Sequence, residues 1–353
     1  MSPFILTAAL AASPSLDNTW RGYARRFIQR DGRVIDHRDQ AVSTSEGQAY
    51  ALIRAVWIDD PKTFGRVLRW TRDNLQSGDP GALPAWRWGA REDGSWGVLD
   101  AQPAADADQW MAYALLLAAE RWSEPTYADQ ARALLAAIWS AEVLQHPTAG
   151  WVMLPGPWAA DAETLRVNPS YFLPFAWRRF AAADPERPWG ALLDNSYTIL
   201  NALMDGGRLP PDWAEWDAEA GRWEAVGPFG YEAFRLAWTL AAEARWYGEA
   251  RALVLLGEMQ PLQQRWQADG KLPAELDVET LDGIGEEYPG LYGALLPAWG
   301  VTASHDAATL FQVELAPRKT TRGWADEDDY YGNNWTWMGV ALWQGLALPE
   351  LRG

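Results

Sequence analysis

The chain has 353 residues, 48% hydrophobic and 22% charged, a balance that supports a large core in one large domain or two average ones. Its net charge of −17 argues against nucleic acid or an anionic membrane as partner, because neutralising phosphates takes a basic face. There is no cysteine, so disulfides, thiolate catalysis and thiolate-bound metals are excluded. The three histidines, His37, His146 and His305, are scattered without metal-binding spacing, and no metal site is expected.

The opening MSPFILTAALAASPS resembles the end of a secretory signal that lacks a basic leader. Residues 1–17 are therefore expected to be a signal remnant or a flexible N-terminus, and the protein to be periplasmic or secreted. No run reaches the length of a membrane span. Residues 18–353 show no linker and no shift in composition, which implies a single domain.

The dominant pattern is helical, in pairs. Residues 47–58 read as a helix after a Ser/Thr turn. Its partner starts with Asp60 as N-cap and Pro61 at the first helical position, with Phe64, Val67 and Leu68 on one face. A long Gly/Pro/Trp loop follows, from Ser77 to Ala105. The pairing repeats in DADQWMAYALLLAAERW and in the helix started by Pro125. Further helical patterns lie near 170–182, 189–204, 231–247, 248–268, 290–298 and 304–313, and NNWTWMGVALWQGLAL closes the chain. PPDWAEWD reads as an interruption. Strand signals are poor; GRVID and GWVML are candidate hairpin pieces on a rim. Helical hairpins of uneven length without a strict repeat point to an all-α closed toroid rather than an open solenoid.

Tryptophan is the outlier, at 24 residues. Indole rings fill cores, and they also offer flat apolar faces to the C–H face of a pyranose. Both uses are expected. Trp86, Trp88 and Trp96 in the long loop are candidate sugar-stacking platforms; the competing reading is that they pin the loop to the body.

Three acidic clusters precede apolar, small-residue helices: STSEGQAYAL, ADADQWMAYALLL and FGYEAFRLAWTL. An acid in a first turn stabilises a helix by about 0.3–1 kcal/mol, so capping explains any one of them. Together they suit inner helices of a ring whose acids converge at one mouth. Arg235, one turn after Glu232, could orient a carboxylate.

Seven stretches in order resemble the family 8 glycoside hydrolases, and among them the endoglucanases associated with bacterial cellulose synthesis. They are Thr44 to Gln48, Leu83 to Trp86, Asp93 to Asp100, Ala104 to Trp122, Asn168 to Pro174, Leu209 to Trp213, and Gly230 to Arg235. The resemblance implies an (α/α)6 toroid that cleaves β-1,4-glucan with inversion and needs no cofactor. It implies Glu46 as general acid and Asp106 at the sugar beside the scissile bond, with Asp108 as a further substrate-binding residue. Tyr171 would position the attacking water and Arg235 would contact the substrate site. In two places the chain departs from the family pattern: Ala105 stands where a hydroxyl residue is usual, and Glu232 stands where the family has its aspartate base. Glutamate is longer by one C–C bond, about 1.5 Å. The expected partner is a β-glucan, with a cellulose synthase complex as a further partner and a monomer as the working state. Xylan, mixed-linkage glucan and chitosan stay open as substrates, as does a non-catalytic glucan-binding role.

Overall fold

The computed structural model describes residues 14–160, 164–324 and 326–349. Of the expected N-terminal segment 1–17, residues 1–13 lie outside that range. Helix α1, Pro14–Phe27, crosses the expected boundary at residue 17, with Leu16 buried under α13.

The helices alternate between two layers. Six are apolar nearly all round: α2 (Ser45–Trp57), α4 (Ala105–Arg121), α6 (Pro174–Ala183), α8 (Arg235–Tyr247), α11 (Pro289–Thr302) and α13 (Tyr330–Gln344). Such helices must be buried. They touch in a closed circuit, α2 to α4, α6, α8, α11, α13 and back to α2. Each carries an outer partner: α1 on α13, α3 (Pro61–Leu75) on α2, α5 (Pro125–Glu142) on α4, α7 (Trp189–Met204) on α6, α9 (Ala250–Glu258) on α8, and α12 (Ser304–Leu310) on α11. This is the (α/α)6 toroid.

The outer helices follow ordinary amphipathic logic. In α3 the Asp60 carboxylate accepts from the Thr63 N–H and Pro61 opens the helix, as read from the sequence. Phe64, Val67, Leu68, Trp70 and Leu75 form its buried face. The expected helix over 248–268 is instead two, α9 and α10 (Gln260–Asp269). Pro261 has no N–H to continue the ladder across Met259.

Tryptophan fills the axis of the ring. Trp57, Trp110, Phe175, Trp238 and Trp335, from five inner helices, meet tilted or edge to face at 5.3–6.4 Å. The Trp238 N–H is satisfied by the Met338 carbonyl at 2.9 Å. Glycine closes the tightest seam: a Cβ on Gly339 would lie 1.8 Å from the Gly293 carbonyl oxygen, so α11 and α13 meet backbone to backbone.

Short antiparallel sheets decorate the ring. β1 (Ser43–Thr44), β2 (Arg87–Ala90) and β3 (Trp96–Asp100) make one; β4 (Val143–His146) and β5 (Gly150–Met153) another. β6 (Arg166–Val167), β7 (Trp213–Asp217) and β8 (Arg222–Val226) make a third, and β9 (Glu275–Leu276) with β10 (Gly283–Ile284) a fourth. GWVML supplies β5 as expected, while GRVID makes only isolated bridges, Ile28 to Val34 and Asp36 to Val42. The segment expected as a long loop holds the β2–β3 hairpin, and PPDWAEWD runs into β7. Among the described residues no helix is long and apolar enough to cross a membrane.

Candidate active site

The inner helices bring their N-terminal ends to one mouth, and the free N–H groups there favour negative charge. Glu46 stands in the first turn of α2, where the Thr44 hydroxyl accepts from the Gly47 N–H. Asp106 stands in the first turn of α4. Glu232 does not begin a helix: residues 231–234 form a turn, and α8 starts only at Arg235. The cause is Asp212, whose Oδ1 accepts from the backbone N–H groups of Gly230 (3.0 Å), Glu232 (3.2 Å) and Ala233 (2.8 Å).

Arg235 joins these elements. It is 4% exposed, and its guanidinium donates to Asp106 Oδ2 (2.6 Å), the Tyr50 hydroxyl (3.2 Å), the Ser170 hydroxyl (2.8 Å) and Glu232 Oε2. Its donors are spent on protein, which corrects the expectation that it contacts substrate; it aligns two carboxylates. Asn168, fully buried, adds a second bond to Glu232 Oε2 at 2.8 Å and accepts from the Ser170 hydroxyl at 2.7 Å. Tyr171 lies with its ring 5.1 Å from the Arg235 guanidinium carbon, and Gln109 holds its backbone carbonyl at 3.1 Å. Burial, then the charges of Asp106 and Glu232, push the Tyr171 hydroxyl well above its usual pKa. Glu46 acts on it in the same direction.

Burial raises the Glu46 carboxyl to about 7, with the Asp106 charge as the next cause. The bond from Trp86 Nε1 to Glu46 Oε1 (3.0 Å) and the charge of Arg235 oppose the rise. Burial also raises Asp106, and Arg235 offsets this.

The other expected site residues separate. Trp86, 37% exposed, stands beside Glu46 as expected. Trp88 and Trp96 do not. Trp86 lies in the bend before β2 and Trp88 within the strand, so strand alternation does not tie the direction of one ring to that of the other. Trp88 packs against Trp70, Trp96 and Arg33 on the flank of the hairpin turned toward α3. Asp108 is also corrected. It is 0% exposed and faces Glu142 at the end of α5, so substrate has no route to it. Among the described residues no group of three or more His, Asp or Glu side chains is placed to hold a metal ion.

Sequence reading missed Asn168, Ser170, Asp212 and Tyr50. Asn168 and Asp212 lie in stretches that carry the family resemblance, and an Asn-Pro-Ser turn start was the available signal. It also gave no role to Tyr330 and Tyr331 at the start of α13. The Tyr330 hydroxyl meets Thr44 Oγ1 at 3.3 Å, and Tyr331 donates to the Tyr231 carbonyl at 2.8 Å. These contacts tie the start of α13 to the start of α2 and to the turn that carries Glu232.

Carboxyl groups converging at the helix N-termini of an (α/α)6 toroid, with exposed rings beside them, define a glycoside hydrolase of the helical-toroid class. Comparison with known proteins makes the assignment specific. The model of glycosyl hydrolases family 8 matches residues 1–345. An endoglucanase of Xanthomonas axonopodis pv. citri is 38% identical over 313 residues, covering 83% of this chain and 78% of that one. An endoglucanase of Salmonella typhi is 33% identical, covering 83% and 80%. The crystal structure of the Vibrio fischeri endo-1,4-D-glucanase superposes with a TM-score of 0.80 at 30% identity, over 92% of this chain and 94% of that one. The chain belongs to glycosyl hydrolases family 8.

Proposed function

We propose that the protein is an endo-β-1,4-glucanase that hydrolyses cellulose-like glucan with inversion, Glu46 acting as general acid and Glu232 as general base. The observation that carries this reading is the difference between the two carboxyls. Glu46, raised to about 7 without a cation in contact, can hold a proton near neutral pH. Trp86 occupies its Oε1, and Oε2 has only a long 3.4 Å contact from the Ser45 hydroxyl, so Oε2 carries the proton to the leaving oxygen. Glu232 Oε2 accepts from both Arg235 and Asn168. Its Oε1 has no donor among the described residues and accepts a proton from the attacking water. An inverting pair needs about 6.5–9.5 Å between carboxyls for that water. The turn pinned to Asp212 fixes the backbone from which the longer Glu232 side chain reaches that water. Asp106 binds the sugar at the point of cleavage and supports the protonated state of Glu46, and Tyr171 orients the water. The names of the relatives support a β-1,4-glucan as substrate.

Anomer-resolved NMR of cellohexaose cleavage tests the reading. New reducing ends should appear first as the α anomer, and Glu46→Gln should abolish them. β-Anomer product would overturn the inverting assignment, and absence of cleavage would overturn the hydrolase. Viscosity loss on soluble cellulose should exceed that on xylan or chitosan. The signal-like start supports a periplasmic or secreted location, and the resemblance supports work beside a cellulose synthase complex; fractionation and co-purification test both.

A further inference from the structure

Trp88 and Trp96 lie outside the catalytic mouth, and their surroundings form a second concave site. A depression of about 410 Å³ lies between the segment after α1, the solvent side of α3 and strand β2. That is within the range of small-ligand sites. Trp88 supplies an aromatic wall, backed edge to face at 5.3 Å and 81° by Trp70, which is 6% exposed. The half-exposed Trp96 continues this surface outward, 5.3 Å from Trp88.

The polar lining is balanced. Arg33 and Arg69 share the lining with Asp31 and with Asp73, whose Oδ1 accepts from Arg72 at 2.8 Å, so the site selects neither an anion nor a cation by net charge. Gln29 and Asn74 add carboxamides. Part of this lining is preset. Arg33, 7% exposed, packs over Trp88 and Trp96 at 4.5 and 4.7 Å and donates to the Ser43 hydroxyl at 2.8 Å. Asp31 accepts from the Arg33 N–H at 3.1 Å. Asn74 donates to the Trp70 carbonyl at 2.9 Å. Other groups are unspent: the side chains of Arg69 and Gln29 make no hydrogen bond or ion pair among the described residues. Planar acid, amide and guanidinium groups beside an aromatic wall match the paired hydroxyls and C–H faces of a neutral sugar chain.

We propose that this depression is a non-catalytic binding site for a β-glucan chain, separate from the mouth that holds Glu46. It rests on the glucanase reading for the identity of the polymer. Its role is to hold polymer against the enzyme, so it affects long or insoluble chains and leaves short oligosaccharides untouched.

Affinity electrophoresis of the full chain in gels containing hydroxyethylcellulose tests it. The measurement uses Glu46→Gln protein with cellohexaose saturating the catalytic mouth, so that retardation reports other sites. Adding Arg69→Ala with Asp73→Ala, both exposed on α3, should weaken binding about threefold to tenfold, the weight of one well-placed sugar contact. Trp88→Ala should do the same. In a Glu46 background, the Arg69/Asp73 double variant should cleave cellohexaose at the unaltered rate and insoluble swollen cellulose more slowly. Unchanged retardation in the double variant overturns the proposal, as does equal retardation of the wild-type site by starch. Should the Glu46 protein fail to cleave cellohexaose, the catalytic reading falls, and the retardation comparison still judges this site by itself.

Discussion

Asp106 and Asp108 stand two residues apart in the first turn of α4, and both are buried. Asp106 points to the mouth and meets Arg235 at 2.6 Å. Asp108 points to the α4–α5 interface, where it and Glu142 have no hydrogen-bond partner among the described residues other than each other. Burial and the neighbouring Glu142 hold Asp108 well above the usual carboxylate range, and burial holds Glu142 at about 8. Those two acids keep protons and satisfy one another. One cation separates the two regions: with it a buried acid can serve as a charge, and without it a buried acid becomes a neutral filler. Helix position alone does not distinguish them.

Removing that cation should break the contrast most severely. Arg235→Met leaves Asp106 and Glu232 without their partner, and breaking a buried pair in this way costs about 3–5 kcal/mol of stability. Chemical denaturation should show the loss, and glucan cleavage should fall to background in the fraction that stays folded. A stability loss below 1 kcal/mol would mean that the two acids take up protons freely and that the mouth needs no cation.

Glu232→Gln keeps the bonds' geometry and removes the base. Its turnover should drop by about 10²–10⁴-fold, with binding of cellohexaose retained. Glu232→Asp, one carbon shorter on a backbone pinned by Asp212, should lose most of its activity. A loss as large as that of the Gln variant would show that this backbone is set for the longer side chain.

Asp106→Asn sharpens the role of charge at the mouth. The Asp106 carboxylate raises Glu46, so its removal should lower the Glu46 pKa from about 7. The limb of the rate profile on which activity falls with rising pH should then move to lower pH. An unmoved limb would assign the Glu46 shift to burial alone.

The smallest expected effect lies in the Asp108–Glu142 pair. Glu142 has a folded pKa of about 8, above its ordinary 4.5. The stability it contributes is therefore complete below about pH 4.5 and is lost as pH rises through about 8. Melting temperatures from pH 5 to 8.5 should fall for the natural chain and fall less steeply for Glu142→Gln. Equal slopes would place the alkaline sensitivity elsewhere.

Much of this was legible in the chain itself. Asp60 and Pro61 mark a helix start through chemistry that acts within four residues, and apolar periodicity alone marks the layers. The acids in the first turns of α2 and α4 were visible for the same reason, and ordered motifs tied them to Glu232. What could not be read was direction. Trp86 and Trp88 are alike in local sequence, yet one ring meets Glu46 and the other packs against Trp70 and Arg33. Asp106 and Asp108 are alike in the same way until Arg235 arrives from 129 residues away. The residue types, their spacing and the helical ring follow from short-range forces written in the sequence. The fate of each ring and each proton depends on which distant groups the closed toroid sets beside it, because burial and Coulomb forces act through space rather than along the chain.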